Sequence, residues 1–162
     1  MIKIFYIFIA IIFSFNVYGQ NAQCIKGKKY KGYVFPKDHN ALIGIQNQSS
    51  RFVPDKKDIE YFESVLRERI VNLTKEIPDQ GERCPNIAKK LRKYTRQYFG
   101  FITNDQERVL YVNFVWSKSD DLILSKINTE NIGVYGGCSF YWNVKYNLDT
   151  DVFYDLRVNT KD

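Results

Sequence analysis

The sequence predicts an α+β domain in which one long amphipathic helix packs on a curved antiparallel sheet of four to five strands. Two observations carry that expectation. Apolar residues recur at three- and four-residue steps through residues 55–74, and from Tyr94 onward the hydrophobic period changes to two. A third observation concerns organisation: no internal repeat, low-complexity tract or long linker divides residues 40–162, so helix and strands belong to one domain.

Residues 1–19 read as an export signal. Lys3 gives a short positive start, Ile4 to Phe15 is an almost unbroken apolar run, and Asn16-Val17-Tyr18-Gly19 offers small or modest residues to a signal peptidase. Cleavage is expected before Gln20. A spanning helix needs roughly 20 apolar residues; this run is shorter and polar residues follow it, so no stable membrane span is expected after cleavage. Gln23 is bulky and polar where a lipid-anchoring site at Cys24 would want a small residue. The chain is expected to be exported, to the periplasm or outside the cell.

The formal net charge of +6 is mildly basic and favours loose attraction to anionic surfaces. For an exported chain, nucleic acid is not an expected partner. Twelve Tyr and twelve Phe supply large apolar areas that serve both cores and contact surfaces. The cysteines are Cys24, Cys84 and Cys138, an odd number that leaves at least one thiol unpaired within a monomer; three pairings are open. None sits in a CxxC spacing, and the one histidine is His39, so no metal site is expected.

Residues 20–39 are polar and rich in Lys and Gly, and are expected to be irregular. The short apolar patch Ala41 to Ile45 fits a first strand. The long helix begins near Asp55, after Pro54, where Asp55 and Asp58 have the spacing of a capping box. Ile59, Phe62, Leu66, Ile70 and Leu73 form its apolar stripe, and Pro78 and Gly81 lie beyond its expected end. A shorter helix fits Pro85 to Lys93, with Ile87, Leu91 and Tyr94 as its stripe. Arg96 to Thr103 then reads as a strand, Asn104-Asp105-Gln106 as a turn and Glu107 to Ser117 as the partner strand. Leu110, Val112, Phe114 and Trp116 alternate there with Val109, Tyr111, Asn113 and Val115. Residues 118–131 read as a polar loop with a short helical piece. Gly136-Gly137 opens a strand in which Phe140, Trp142, Val144 and Tyr146 face one way and Tyr141, Asn143, Lys145 and Asn147 the other. After the turn Leu148-Asp149-Thr150, Val152, Tyr154, Leu156 and Val158 are expected on the apolar face of the last strand.

The order of helix followed by antiparallel strands resembles the cystatin-like and NTF2-like folds. More narrowly, the chain is similar to small exported proteins of Bacteroidota, through Arg51-Phe52-Val53-Pro54, Arg96-Gln97-Tyr98-Phe99-Gly100, Gly136-Gly137-Cys138 and Val158-Asn159. The likeness covers roughly residues 40–160 and implies a fold; that family carries no activity to transfer. Cystatins inhibit cysteine proteases with a Gln-x-Val-x-Gly hairpin and a Pro-Trp hairpin. Here Gln97-Tyr98-Phe99-Gly100 has a different spacing within a strand, and Trp116 lacks the preceding Pro, which puts inhibition of that kind third among the functional readings.

Catalytic groupings are sparse. His39 could meet Cys84 or Cys138 only through tertiary structure, and Asp120-Asp121 and Asp149/Asp151 fall in loops and turns, where Asp is favoured for local hydrogen bonding. Asp149-Thr150-Asp151 is too few ligands for calcium. The chain is expected to be no enzyme and to carry no cofactor. Lys89, Lys90, Arg92, Lys93 and Arg96 form the densest positive cluster, read as a solvated helix face or an anionic contact. If the helix seals one side of the sheet, Tyr111, Asn113, Tyr141, Asn143, Lys145, Asp155 and Arg157 share the other. That mixture of rigid aromatic area and adaptable hydrogen bonding suits recognition. The leading expectation is therefore a non-enzymatic binding or assembly module that meets a protein or cell-envelope partner through Tyr111, Asn113, Tyr141, Asn143, Lys145 and Arg157. The alternative is a small-molecule binder of NTF2-like type with a pocket lined by Phe62, Phe114 and Trp142.

Overall fold

The structure is a computed structural model and describes residues 21–40, 48–77 and 83–159. The expected signal at residues 1–19 and the expected strand at Ala41–Ile45 lie outside these residues. Among the described residues, an α+β fold is built on a mostly antiparallel seven-stranded open sheet. The strands are β1 (Gln23–Gly27), β2 (Tyr30–Val34), β3 (Gln48–Phe52), β4 (Tyr94–Thr103), β5 (Arg108–Trp116), β6 (Tyr141–Asn147) and β7 (Val152–Val158). The helices are α1 (Lys56–Thr74) and two short pieces, α2 (Ile87–Lys90) and α3 (Asp121–Ser125). The sheet runs β1-β2-β4-β5-β6-β7, and β3 also pairs with β4. Seven strands replace the expected four to five.

Two of the additional strands, β1 and β2, come from the segment expected to be irregular. β1 and β2 form a hairpin, and β2 lies parallel to the first half of β4, with Gly32 opposite Arg96 and Val34 opposite Tyr98. β3 takes the second half of the same β4 edge, antiparallel, with Phe52 opposite Gly100. A strand at the sheet margin can be polar on most positions and still be held by backbone bonds, so Lys26, Lys28, Lys29 and Lys31 concealed it. Gly32 is required by proximity: a Cβ there would stand 2.5 Å from the carbonyl oxygen of Arg96.

α1 forms where its caps and stripe predict. The Asp55 side chain accepts from the Asp58 amide at 2.9 Å and the Asp58 side chain accepts from the Asp55 amide at 3.2 Å, a complete capping box. Such an N-cap stabilises a helix by about 1 kcal/mol. Ile59, Phe62, Leu66 and Ile70 are buried against Tyr98, Leu110, Val112, Trp142 and Val144, with Leu73 partly buried beside them. The Phe114 and Trp142 rings stack with centroids 3.6 Å apart, and Phe62 meets the edge of Tyr146 at 5.5 Å. Pairs of this kind contribute about 0.5–1.5 kcal/mol beyond their burial. Phe62, Phe114 and Trp142 are all fully buried.

A charged group also lies in this core. Glu63 and Arg96 both have fully buried side chains, with Arg96 Nε donating to Glu63 Oε1 at 3.0 Å. Tyr98 Oη donates to the same oxygen at 2.9 Å, and Arg96 Nη1 donates to the Tyr94 carbonyl at 2.6 Å. Arg96 therefore leaves the surface cluster in which its sequence neighbours place it: its strand position alternates inward with Tyr94 and Tyr98.

Two further corrections follow from the backbone, and the open cysteine pairing is resolved. Gly136 and Gly137 do not enter a strand; both adopt left-handed conformations (φ 72° and 75°) ahead of a single 3-10 turn, Cys138–Phe140, so Phe140 precedes β6. In β7 the pairing changes register between Asn143 and Lys145, and Asp155 has φ 50°. This one-residue bulge reverses the phase of the strand. Phe153, Leu156 and Val158 therefore pack on the core, whereas Val152 and Tyr154 are exposed. Lastly, Cys84 is bonded to Cys138, leaving Cys24 free and exposed. His39 is buried; its ring lies 4.6 Å from that of Phe35, which stacks on Phe99 at 4.4 Å. Phe35, Phe99, Phe101 and Ala22 make a second, smaller core on the far side of the sheet.

Candidate functional site

The far side of the sheet carries all six residues expected to meet a partner, in an order set by the register. Tyr111, Lys145 and Tyr154 form one row across β5, β6 and β7; Asn113, Asn143 and Arg157 form the next. Successive strand residues point to opposite faces, so these rows are the complement of the core rows built on Val112, Val144, Trp142 and Val158.

Part of this face is covered. Gln97 and Asn113 lie beneath the segment that follows α3. Gln97 Nε2 donates to the carbonyls of Ile127 at 2.8 Å and Glu130 at 2.7 Å. Gln97 Oε1 accepts from the Ile132 amide and from Asn113 Nδ2, both at 2.9 Å, and Asn113 Nδ2 also donates to the Ile132 carbonyl at 2.7 Å. Both side chains are buried. Asn113 thus anchors the loop at Ile132. Tyr141 is half-buried, its hydroxyl donating to Ser119 Oγ at 2.9 Å.

The portion over β5–β7 is open at Tyr154 and Arg157 and is internally braced. Lys145 Nζ donates to Asp155 Oδ2 at 2.5 Å, and Arg157 Nε donates to Asp155 Oδ1 at 2.7 Å. Burial opposes ionisation of Asp155, but the hydrogen bonds and charges of Lys145 and Arg157 outweigh it and hold the carboxyl below its usual range. The bulge makes this possible, because it turns Tyr154 and Asp155 successively toward this face. The Lys145 ammonium lies 5.9 Å from the Tyr154 ring centre. Burial pushes the Tyr111 phenol up to about 12; the charge of Arg157 lowers it and that of Asp155 raises it. Arg157 and Tyr154 are exposed, whereas the Lys145 side chain is only 10% accessible.

Comparison of the chain with protein-family models, with curated proteins and with solved structures finds no match. The functional reading therefore rests on the side chains themselves. Among the described residues no group of three or more His, Cys, Asp or Glu side chains is placed to hold a metal ion. No helix of the described residues is long and apolar enough to cross a membrane.

The other chemistry-bearing residues have local duties. Asp120 caps α3 by accepting from the Leu122 amide at 2.8 Å, and Asp149 accepts from the Arg108 amide at 2.6 Å. Asp151 accepts from the Tyr146 hydroxyl and, at 2.5 Å, from Arg69. Cys84 and Cys138 hold each other, so neither offers a thiolate to His39. Tyr154 is the functional candidate that reading by strict alternation misses. The clue available in sequence is Asp155 within an otherwise apolar strand, since Asp tolerates the left-handed conformation a bulge demands.

Proposed function

We propose that this chain is an exported, non-enzymatic binding module that engages a protein or cell-envelope partner through the β5–β7 part of the far sheet face. One observation carries the reading: the Lys145–Asp155–Arg157 ion triad sits at a backbone bulge between Tyr111 and Tyr154. Ordering long cationic side chains costs entropy on association, about 0.5–1.5 kcal/mol for each one immobilised. Here Asp155 has already restrained both cations, and the tyrosines have few rotamers to lose. The contact set becomes Tyr111, Asn143, Lys145, Tyr154 and Arg157. Export is supported by the leader-like first nineteen residues and by the Cys84–Cys138 disulfide, a bond that persists in oxidising compartments. The small-molecule alternative draws no support from the rings proposed to line its pocket, since Phe114 and Trp142 stack on each other and Phe62 packs on Tyr146.

The test is site-specific photocrosslinking in cells that express the chain. A crosslinker replacing Tyr154 should yield a discrete adduct, weakened when Tyr111 and Arg157 are changed to Ala. The same group at Val71, exposed on α1, should yield none. Equal labelling from both positions, or an adduct unaffected by the two substitutions, would defeat the reading.

A further inference from the structure

A cationic groove of about 440 Å³ lies on the helix side of the sheet, away from the face just described. Its lining combines Arg67 and Ile70 of α1, the continuous stretch from Ala88 to Lys93, and Lys29 from the β1–β2 turn. Ile70, Ala88 and Leu91 supply an apolar base. Lys29, Arg67, Lys89, Lys90, Arg92 and Lys93 supply six positive charges, and among the described residues no carboxylate lines the groove. Sequence reading grouped four of these cations and added Arg96; folding withdraws Arg96 into the core and brings Arg67 and Lys29 in its place.

The charges are poorly compensated. Among the described residues, only Arg67 of the six approaches a carboxylate, Glu63 at 3.6 Å, and Glu63 is already engaged by Arg96 and Tyr98. Like charges gathered around one groove repel one another and attract counter-ions, so six of them favour a bound anion. The wall that carries four of them is also fixed in place. Cys84 ties its start to Cys138, Ser139 Oγ donates to the Pro85 carbonyl at 2.6 Å, and Asn86 Oδ1 accepts from the Lys89 amide at 3.0 Å. Ile87 and Leu91 are buried beneath it.

We propose that this groove binds an anion bearing adjacent phosphate groups, of the pyrophosphate kind. Phosphate concentrates several charges and tetrahedral acceptors in a small volume, and the planar guanidinium groups of Arg67 and Arg92 can each offer it two parallel N–H donors. A single carboxylate would neutralise one cation of six. The ligand group could come from a dissolved phosphoanion or from a phosphorylated lipid headgroup, and the experiment separates these sources.

The purified chain is titrated with inorganic pyrophosphate and with tripolyphosphate by calorimetry, and sedimented with phosphatidylcholine vesicles with and without phosphatidic acid. Saturable binding of one pyrophosphate or tripolyphosphate is expected. It should weaken by roughly tenfold or more in a Lys89→Gln/Arg92→Gln variant, the loss typical of a charge-assisted hydrogen bond. A Lys57→Gln/Lys118→Gln variant, with the same loss of net charge at exposed sites outside the groove, should bind like the parent. Vesicle binding that pyrophosphate displaces identifies a lipid-borne group; binding of the soluble probes alone identifies a dissolved one. The proposal is overturned if neither soluble probe saturates, if both variants lose affinity equally, or if vesicle binding resists pyrophosphate.

Discussion

Arg96 and Glu63 meet between α1 and β4 with both side chains fully removed from water, Nε to Oε1 at 3.0 Å. An ion pair in that setting is sustained by its additional bonds, here to Tyr98 and to the Tyr94 carbonyl. Removing one partner strands the other charge in an apolar core, which costs about 3–5 kcal/mol. Arg96→Met and Glu63→Leu are each expected to lower the stability read from urea unfolding by that amount. The double variant should recover most of the loss, because no unpaired charge is left. Additive losses would show that the pair is not coupled.

The Cys84–Cys138 bond closes a loop with a sequence separation of 54, for which chain entropy assigns about 4 kcal/mol of stabilisation. Cys84→Ser/Cys138→Ser is expected to shift the urea midpoint downward accordingly, whereas Cys24→Ser leaves it in place. Under native, non-reducing conditions only Cys24 should be alkylated, as read by mass spectrometry of peptides.

Gln97 has all of its amide capacity committed to Ile127, Glu130, Ile132 and Asn113. Gln97→Ala leaves buried groups without partners and is expected to cost about 2–3 kcal/mol. The diagnostic effect is local: the Ile132 amide should lose hydrogen-exchange protection while amides in α1 and β6 keep theirs at low denaturant. Uniform loss across the domain would place the defect elsewhere.

Alkali should destabilise the fold through its buried phenols. Burial pushes up Tyr94 and Tyr98 and, together with the hydrogen bond to Asp151, Tyr146; Tyr111 rises to about 12 from an ordinary 10.0. The folded chain therefore retains protons that the unfolded chain releases. Stability is expected to be flat below pH about 10 and to fall as pH rises toward 12 and beyond. Tyrosinate absorbance should show at least these four phenols ionising late, together with unfolding. A single smooth titration of every tyrosine near 10 would contradict the burial.

Much of the helix side was legible. Ile59, Phe62, Leu66 and Ile70 announced the buried stripe, and Asp55 with Asp58 its start, because helix caps and periods are local properties. Val112, Trp142 and Val144 announced the inner sheet face for the same reason. What escaped depends on distant partners. The hairpin of β1 and β2 is held by the backbone of β4, which leaves little imprint on Lys26 or Lys31. Asn113 looks like an open contact until Ile132 passes over it, and the path of that loop has no period to read. The bulge at Asp155 shifts Tyr154 from core to surface, and strict alternation has no means of registering one additional residue. The groove escaped because Arg67 and Lys29 join residues 89–93 only through folding.

The parallel seam between β2 and β4 also bears on how the chain reaches this form. Gly32–Val34 must wait for Arg96–Tyr98, which arrive only after β3 and α1 have been made. A chain that emerges N-terminus first thus carries a hairpin with nothing to dock against. In that order of emergence the sheet can close only once Tyr98 is available, and until then one margin of β2 is open to pairing with a neighbouring molecule. Dilution, or a holding factor at the exit, should raise the yield of the native form more than any gain in helix propensity would.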